Sequence, residues 1–195
     1  ALVVADFNKD GLDDFFVGSS KRRKAGYFTQ GADGSFKRQN LELFTIDSIH
    51  EEVDGIAEDL NNDGWPDLIL ASGGNEYYYE DTPALSRILL NDQKGGFERT
   101  FIDSFYNTVG ALELMDINED GKKEIIMGSR AVSWAYGQLP ESYILEWDGN
   151  KYVDATDKFN PDFRNIGFVK SLERKDLNQD GKEEIIVCLE WGGIK

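Results

Sequence analysis

The sequence predicts an all-β fold, a β-propeller built from four-stranded antiparallel blades. Three observations predict it. A nine-residue acidic turn occurs four times, each copy is flanked by short apolar runs, and a hairpin signal follows each of the first three copies. The copies begin at residues 6, 59, 116 and 176. A repeat of roughly 50 residues is the mark of a propeller or solenoid.

The second copy shows the chemistry most plainly. In Asp59-Leu60-Asn61-Asn62-Asp63-Gly64-Trp65-Pro66-Asp67, oxygen side chains stand at positions one, three, five and nine, and glycine at position six. A tight loop turns alternate side chains inward, so this spacing collects hard oxygen ligands around one cation. Asp59, Asn61 and Asp63 would supply three, the carbonyl of Trp65 a fourth, and Asp67 would close the cage. Gly64 permits the positive φ that the turn requires. The other copies place Asp6, Asn8, Asp10, Leu12 and Asp14 at the same positions, then Asp116, Asn118, Asp120, Lys122 and Glu124, then Asp176, Asn178, Asp180, Lys182 and Glu184. Leu12, Lys122 and Lys182 would ligate through their carbonyls, as Trp65 does. Up to four Ca²⁺ ions are therefore expected.

An EF-hand is excluded on two counts. Its loop needs glutamate at position twelve, where this chain has Val17, Leu70, Met127 and Val187. Its flanks must be helices, whereas Phe15-Phe16-Val17, Leu68-Ile69-Leu70 and Ile185-Ile186-Val187 read as strands. Each loop thus joins two strands. Position two is apolar throughout (Phe7, Leu60, Ile117, Leu177), which predicts an anchor tucked under each loop.

The third and fourth strands of each blade are expected around Asp33-Gly34, Asp92 to Gly96, and Asp148-Gly149, turn sequences between apolar runs. This divides the single region 1–195 into blades at about 1–40, 53–102 and 109–156, with a half blade at 167–191. Three and a half blades are expected to belong to a larger ring.

Composition agrees with this plan. An apolar share of 40% with 30% charged residues suits a globular domain, not a disordered one. The net charge of −16 argues against nucleic acid, whose phosphates require Lys and Arg. Much of that charge stands in the four loops. Cys188, the single cysteine, lies in an apolar run and is expected in the core. His50, the single histidine, has no second histidine or cysteine beside it from which to build a catalytic triad. No apolar stretch has membrane-spanning length.

The four Asp-x-Asn-x-Asp-Gly-x-x-Asp/Glu loops, the strands that end in Gly18-Ser19, Gly73-Gly74 and Gly128-Ser129, and the Asn-Asp to Gly-Phe hairpin resemble FG-GAP/VCBS repeats. These are the calcium-loop propeller blades also found in integrin α-chains. More narrowly, Ser72 to Glu76, Ser86 to Asp92 and Glu190-Trp191 resemble the bacterial ASPIC/UnbV proteins related to cartilage acidic protein. The resemblance implies a seven-bladed ring, an extracellular, periplasmic or cell-surface location, and binding or adhesion in place of catalysis. Two loops depart from the pattern by ending in glutamate, Glu124 and Glu184.

Propeller topology places the metal loops on one face and the variable connections on the other. The variable connections carry Glu76, Tyr77, Tyr78, Tyr79, Arg130, Trp134 and Tyr136, joined by Trp191 near the chain end. Aromatic rings beside carboxylates suit a glycan or a protein partner. Three functions stand open at this point: a glycan- or protein-binding module, a propeller-based polysaccharide lyase or hydrolase, and a structural spacer. For an enzyme, Glu76, Arg130 and Glu190 are the candidates, and their spacing marks no catalytic pair. Lys21-Arg22-Arg23-Lys24 reads as a solvated basic loop, with contact to an acidic polymer as the alternative.

Overall fold

The computed structural model describes residues 1–75, 84–102, 105, 106, 108–135 and 137–195. Its strands form four antiparallel sheets, each a simple up-and-down meander. The first sheet runs β1 (Leu2–Ala5), β2 (Asp14–Val17), β3 (Gly26–Gln30) and β4 (Phe36–Gln39). The second runs β5 (Glu52–Glu58), β6 (Asp67–Ser72), β7 (Arg87–Asn91) and β8 (Phe97–Phe101). The third runs β9 (Thr108–Met115), β10 (Glu124–Ala131), β11 (Tyr143–Trp147) and β12 (Tyr152–Asp154). The fourth has three strands, β13 (Val169–Lys175), β14 (Glu184–Leu189) and the two-residue β15 (Gly193–Ile194). Among the described residues, helix is confined to single turns such as α1 (Leu43–Ile46) and α2 (Thr156–Phe159).

Each acidic loop joins the first two strands of its sheet. The register places its last residue opposite the residue that precedes it: Ala5 pairs Asp14, Glu58 pairs Asp67, Met115 pairs Glu124, and Lys175 pairs Glu184. At the other end of the same strand pair, sheets two, three and four carry a register shift, near Glu52, Ser129 and Val169. A bulge there raises the local twist.

The chain divides into two compact units, the first holding sheets one and two, the second holding sheets three and four. In the first unit, Val3, Phe16, Tyr27, Leu68, Leu70 and Leu89 make a continuous core. Helix α1 adds Phe44, whose ring lies 5.5 Å from that of Phe16. In the second unit, Ala111, Ile126, Ile144, Phe163, Val169 and Val187 pack together. Here two glycines admit a neighbouring strand. A Cβ on Gly110 would stand 2.1 Å from the Val169 carbonyl oxygen, and one on Gly128 would stand 2.4 Å from the Val169 side chain.

Some expectations need correction. Phe7 is buried under its loop, edge-to-face with Tyr27 and Phe97 at 5.7 Å each. Leu60 and Ile117 are half-buried, and Leu177 is 61% exposed. The anchor of the first loop enters between two aromatic rings, those of Tyr27 and Phe97. Cys188 is half-buried and not in the core, because it pairs with Ser171 beside the register shift and with Ile194 of the short β15. His50 is fully buried, set directly after the 3₁₀ turn Asp47–Ile49. Pro161 opens a 3₁₀ turn, where its missing N–H costs nothing.

Gly110→Ala should destabilise the second unit by about 1–3 kcal/mol, since the clash is with main chain that cannot rotate away. Chemical denaturation of wild type and variant measures it.

Candidate metal centre

The four loops share one hydrogen-bond ladder. The position-six glycine N–H donates to the position-one carboxylate at 2.9, 2.7, 2.8 and 3.0 Å (Asp6, Asp59, Asp116 and Asp176). The position-seven N–H donates to the position-five carboxylate at 2.9, 2.8, 2.8 and 2.8 Å (Asp10, Asp63, Asp120 and Asp180). The N–H of Asp10, Asp63 and Asp120 also donates to the Oδ1 of Asn8, Asn61 and Asn118, at 2.9 Å each, and Asp180 does the same to Asn178 at 2.8 Å. These bonds are local, because Asp and Asn side chains reach the main chain two to five residues ahead.

Backbone conformation repeats with them. Position four is left-handed in every copy, with φ of 57° at Lys9, 58° at Asn62, 60° at Glu119 and 63° at Gln179. Position six follows with φ of 86°, 86°, 84° and 88° at Gly11, Gly64, Gly121 and Gly181.

The position-nine carboxylates lie at the base. Asp14, Asp67 and Glu124 are buried, and Glu184 is half-buried. Asp67 accepts from the Leu60 N–H at 3.0 Å and from the Asn91 N–H at 2.8 Å, so it ties its loop to the third strand of the sheet. Asp14 reaches the third strand at Gln30, at 2.9 Å. Glu124 and Glu184, one methylene longer, turn back to the position-two N–H of Ile117 and Leu177, at 2.7 and 2.8 Å. Burial pushes the carboxyl pKa of Asp14, Asp67 and Glu124 upward, against the hydrogen bonds that lower it. Asp63, exposed on the loop, is held low by the Trp65 N–H and then by Gln93.

Adjacent loops are braced in the same way within each unit. Position four of the first loop meets position seven of the second: the Lys9 ammonium stands 5.5 Å from the centre of the Trp65 ring. Position four of the third meets position seven of the fourth: Lys182 Nζ lies 2.7 Å from Glu119 Oε1. Asn91 adds a buried brace in the first unit. Its Nδ2 donates to the Phe7 carbonyl at 2.9 Å and to the Pro66 carbonyl at 3.1 Å. Gln93 extends this brace, donating to Asp63 Oδ2 at 3.0 Å. Neither Asn91 nor Gln93 was legible as part of the site, although Asn91 heads a recognisable Asn-Asp turn.

Among the described residues, no group of three or more His, Cys, Asp and Glu side chains stands in an arrangement that could hold a metal ion. The donor set nonetheless fits a hard divalent cation. It is all oxygen, from two aspartates, one asparagine, a main-chain carbonyl and a closing carboxylate, with no nitrogen or sulfur donor to favour a softer metal.

Of the residues expected on the opposite face, Glu76, Tyr77, Tyr78, Tyr79 and Tyr136 lie outside the described residues. Arg130 Nε meets Glu190 Oε2 at 3.1 Å, and this pairing holds the Glu190 carboxyl low. Trp134 is 66% exposed on a left-handed residue of φ 61°. Trp191 is 61% exposed, its ring 4.9 Å from that of Phe168. The sequence also concealed a buried ionic cluster in the first unit, at the end of the second sheet away from its acidic loop. Arg87, fully buried, meets Asp47 at 3.2 Å and Glu52 at 2.7 Å, and Arg99 pairs with the same Asp47.

Residues 59–127 match the family model of an FG-GAP-like repeat. The chain carries an FG-GAP-like repeat. The match begins at the first residue of the second loop and ends in β10, just past the third loop, about a third of the chain. The first and fourth loops lie outside it and share the same ladder. No curated protein matches this chain. The four sheets are those expected of FG-GAP-like blades, and no helix among the described residues is long and apolar enough to cross a membrane.

Asp67→Ala strips two donors, the N–H groups of Leu60 and Asn91, of their acceptor. It should cost about 2–4 kcal/mol, and Asp67→Asn less because one oxygen survives. Asp13→Ala, at exposed position eight, should be near neutral. Urea unfolding of the three variants compares them.

Proposed function

We propose that this chain is a calcium-stabilised propeller module that binds a ligand outside the cytoplasm. The single observation that carries the reading is the recurrence of one ladder in four loops, each closed by a carboxylate set into the base. Chance turns rich in Asp and Gly would not repeat the same φ signs and the same acceptors. A Ca²⁺ ion bound there would neutralise the crowded carboxylates. Asp59, Asn61, Asp63, the Trp65 carbonyl and Asp67 would hold one ion, and the corresponding residues of the other loops would hold theirs. The chain's own part is to present these oxygens from a backbone already bent to the turn.

FG-GAP-like repeats are often found in adhesion and ligand binding, and the proposal extends this to a glycan or protein held on the face opposite the loops. Further blades would complete the ring. A binding role is preferred to a lyase or hydrolase because Glu190 is paired with Arg130, and a carboxylate held low is a poor general base near neutral pH. Extracellular calcium modules bind at about 10⁻⁴–10⁻³ M, far above resting cytosolic levels, which favours an extracytoplasmic site of action.

Thermal unfolding in EGTA and in millimolar Ca²⁺ tests the reading. A site at about 100 times its dissociation constant adds roughly 2.7 kcal/mol. For a chain of this size each kcal/mol moves Tm by about 2–4 °C, so Ca²⁺ should raise Tm by roughly 5–10 °C per filled site. Asp63→Ala should lose part of that response, and Asp13→Ala should keep it. Equal melting of wild type in both buffers would overturn the calcium reading.

A further inference from the structure

Residues 20–42 invert the charge of the chain. They carry Lys21, Arg22, Arg23, Lys24, Lys37 and Arg38 against two carboxylates, Asp33 and Glu42, a net of +4 within a chain of −16. Such segregation of charge points to an anionic partner for that segment alone.

The fold gathers part of this charge at one place. The connection from β2 to β3 and the end of β4 lie at the end of the first sheet away from its acidic loop, and α1 follows β4 directly. Between them is an open cleft of about 340 Å³, lined by Lys24, Arg38, Gln39, Asn40, Glu42 and Thr45 among others. Small-molecule sites run from about 300 Å³ upward.

The cations are displayed from a fixed backbone. Arg22 is left-handed, with φ of 64°, and its N–H donates to the Ser48 carbonyl at 2.6 Å. The Arg23 N–H donates to the Ser20 carbonyl at 3.0 Å, and the Arg23 carbonyl accepts from the Ser19 hydroxyl at 2.7 Å. Arg22, Arg23 and Lys24 are exposed, and none forms an ion pair with a carboxylate among the described residues. The Arg38 guanidinium donates from Nη2 to the Ala25 carbonyl at 3.1 Å and lies 5.9 Å from the Phe28 ring centre. These contacts aim the group and leave its other N–H donors for a ligand.

We propose that this cleft binds an acidic sugar, uronate or sulfated, within an anionic polysaccharide chain. The inference rests on the ligand-face reading above and names the ligand class. Lys24 and Arg38 would hold the acid group by charge-assisted hydrogen bonds. Gln39, Asn40, Glu42 and Thr45 would hold ring hydroxyls, which need both donors and acceptors. Arg22 and Arg23 would meet acid groups further along the polymer. Glu42 and the acidity of the rest of the chain disfavour nucleic acid and an anionic membrane, both of which demand broad positive surfaces.

The experiment titrates the whole chain in millimolar Ca²⁺ with an oligogalacturonate, a heparin-derived oligosaccharide, a neutral maltooligosaccharide and single-stranded DNA of similar length. Wild type is compared with Lys24→Gln/Arg38→Gln and with the control Lys94→Gln/Lys151→Gln, two exposed lysines of hairpin turns outside the acidic loops. At least one acidic sugar should bind, roughly tenfold more weakly to the first variant and unchanged in the control, because two charge-assisted contacts are lost. Whichever acidic sugar binds separates uronate from sulfate. Both variants should keep the wild-type Tm and its Ca²⁺ response, which shows that the fold and its loops are intact. Absence of binding by both acidic sugars, equal binding by the first variant, or tighter binding of DNA would each overturn the proposal. Neutral-sugar binding that survives the first variant, with no acidic-sugar binding, would overturn it while leaving a ligand-binding module in place.

Discussion

The closing carboxylate at position nine is the constraint on which the sheets depend. It is the first paired residue of the second strand in every sheet, set opposite the residue before the loop. It therefore sets the register of strands one and two. A slip of one residue would turn each buried side chain to the wrong face. In Asp67 the same group also takes the N–H of Asn91, which extends the hold to the third strand. Burial of such a group is unfavourable by itself, and the N–H groups pointed at it are what make its position tenable.

The two ends of the sheets solve charge differently. At the loop end the carboxylates of positions one and five lean on local N–H groups, and the buried ones of position nine are held by main-chain N–H groups of the loop or of the third strand. At the far end of the first unit, Arg87 is enclosed with Asp47 and Glu52, and the Ser19 N–H donates to the same Glu52 at 2.7 Å. A buried pair of this kind adds little net stability when whole, but breaking it leaves an unpaired charge in the core. It acts as a key that holds β2, β5 and β7 in one arrangement. The cationic cleft of the first sheet stands at this same end, so the first unit presents acidic loops at one end and a local positive surface at the other.

Much of this was legible in the sequence because the decisive contacts are short-range. The loops announce themselves by Asp, Asn and Gly at fixed offsets, and their ladder spans only two to five residues. The hairpins around Asp33-Gly34, Asp92 and Asp148-Gly149 followed from the same turn chemistry, and the strands β3, β7 and β11 stand where the apolar runs placed them. Expectations about burial fared worse. Four apolar residues at position two looked alike in sequence, yet Phe7 is buried and Leu177 exposed, since the surroundings of each come from other strands. Cys188 left the core for the same reason, and the burial of His50 likewise comes from its tertiary surroundings.

By itself, then, the sequence determined the local architecture: the acidic turns, the strands on either side, the meander order and the all-oxygen donor set. Tertiary structure alone decided what joins one repeat to the next. Asn91 reaches the carbonyl of Phe7 across 84 positions, Lys182 reaches Glu119 across 63, and Arg87 reaches Glu52 across 35. A side chain's local pattern records the conformation of its own segment, because that depends on neighbours in the chain. Its distant partner is chosen by how the sheets pack, and nothing within a single nine-residue turn encodes that choice.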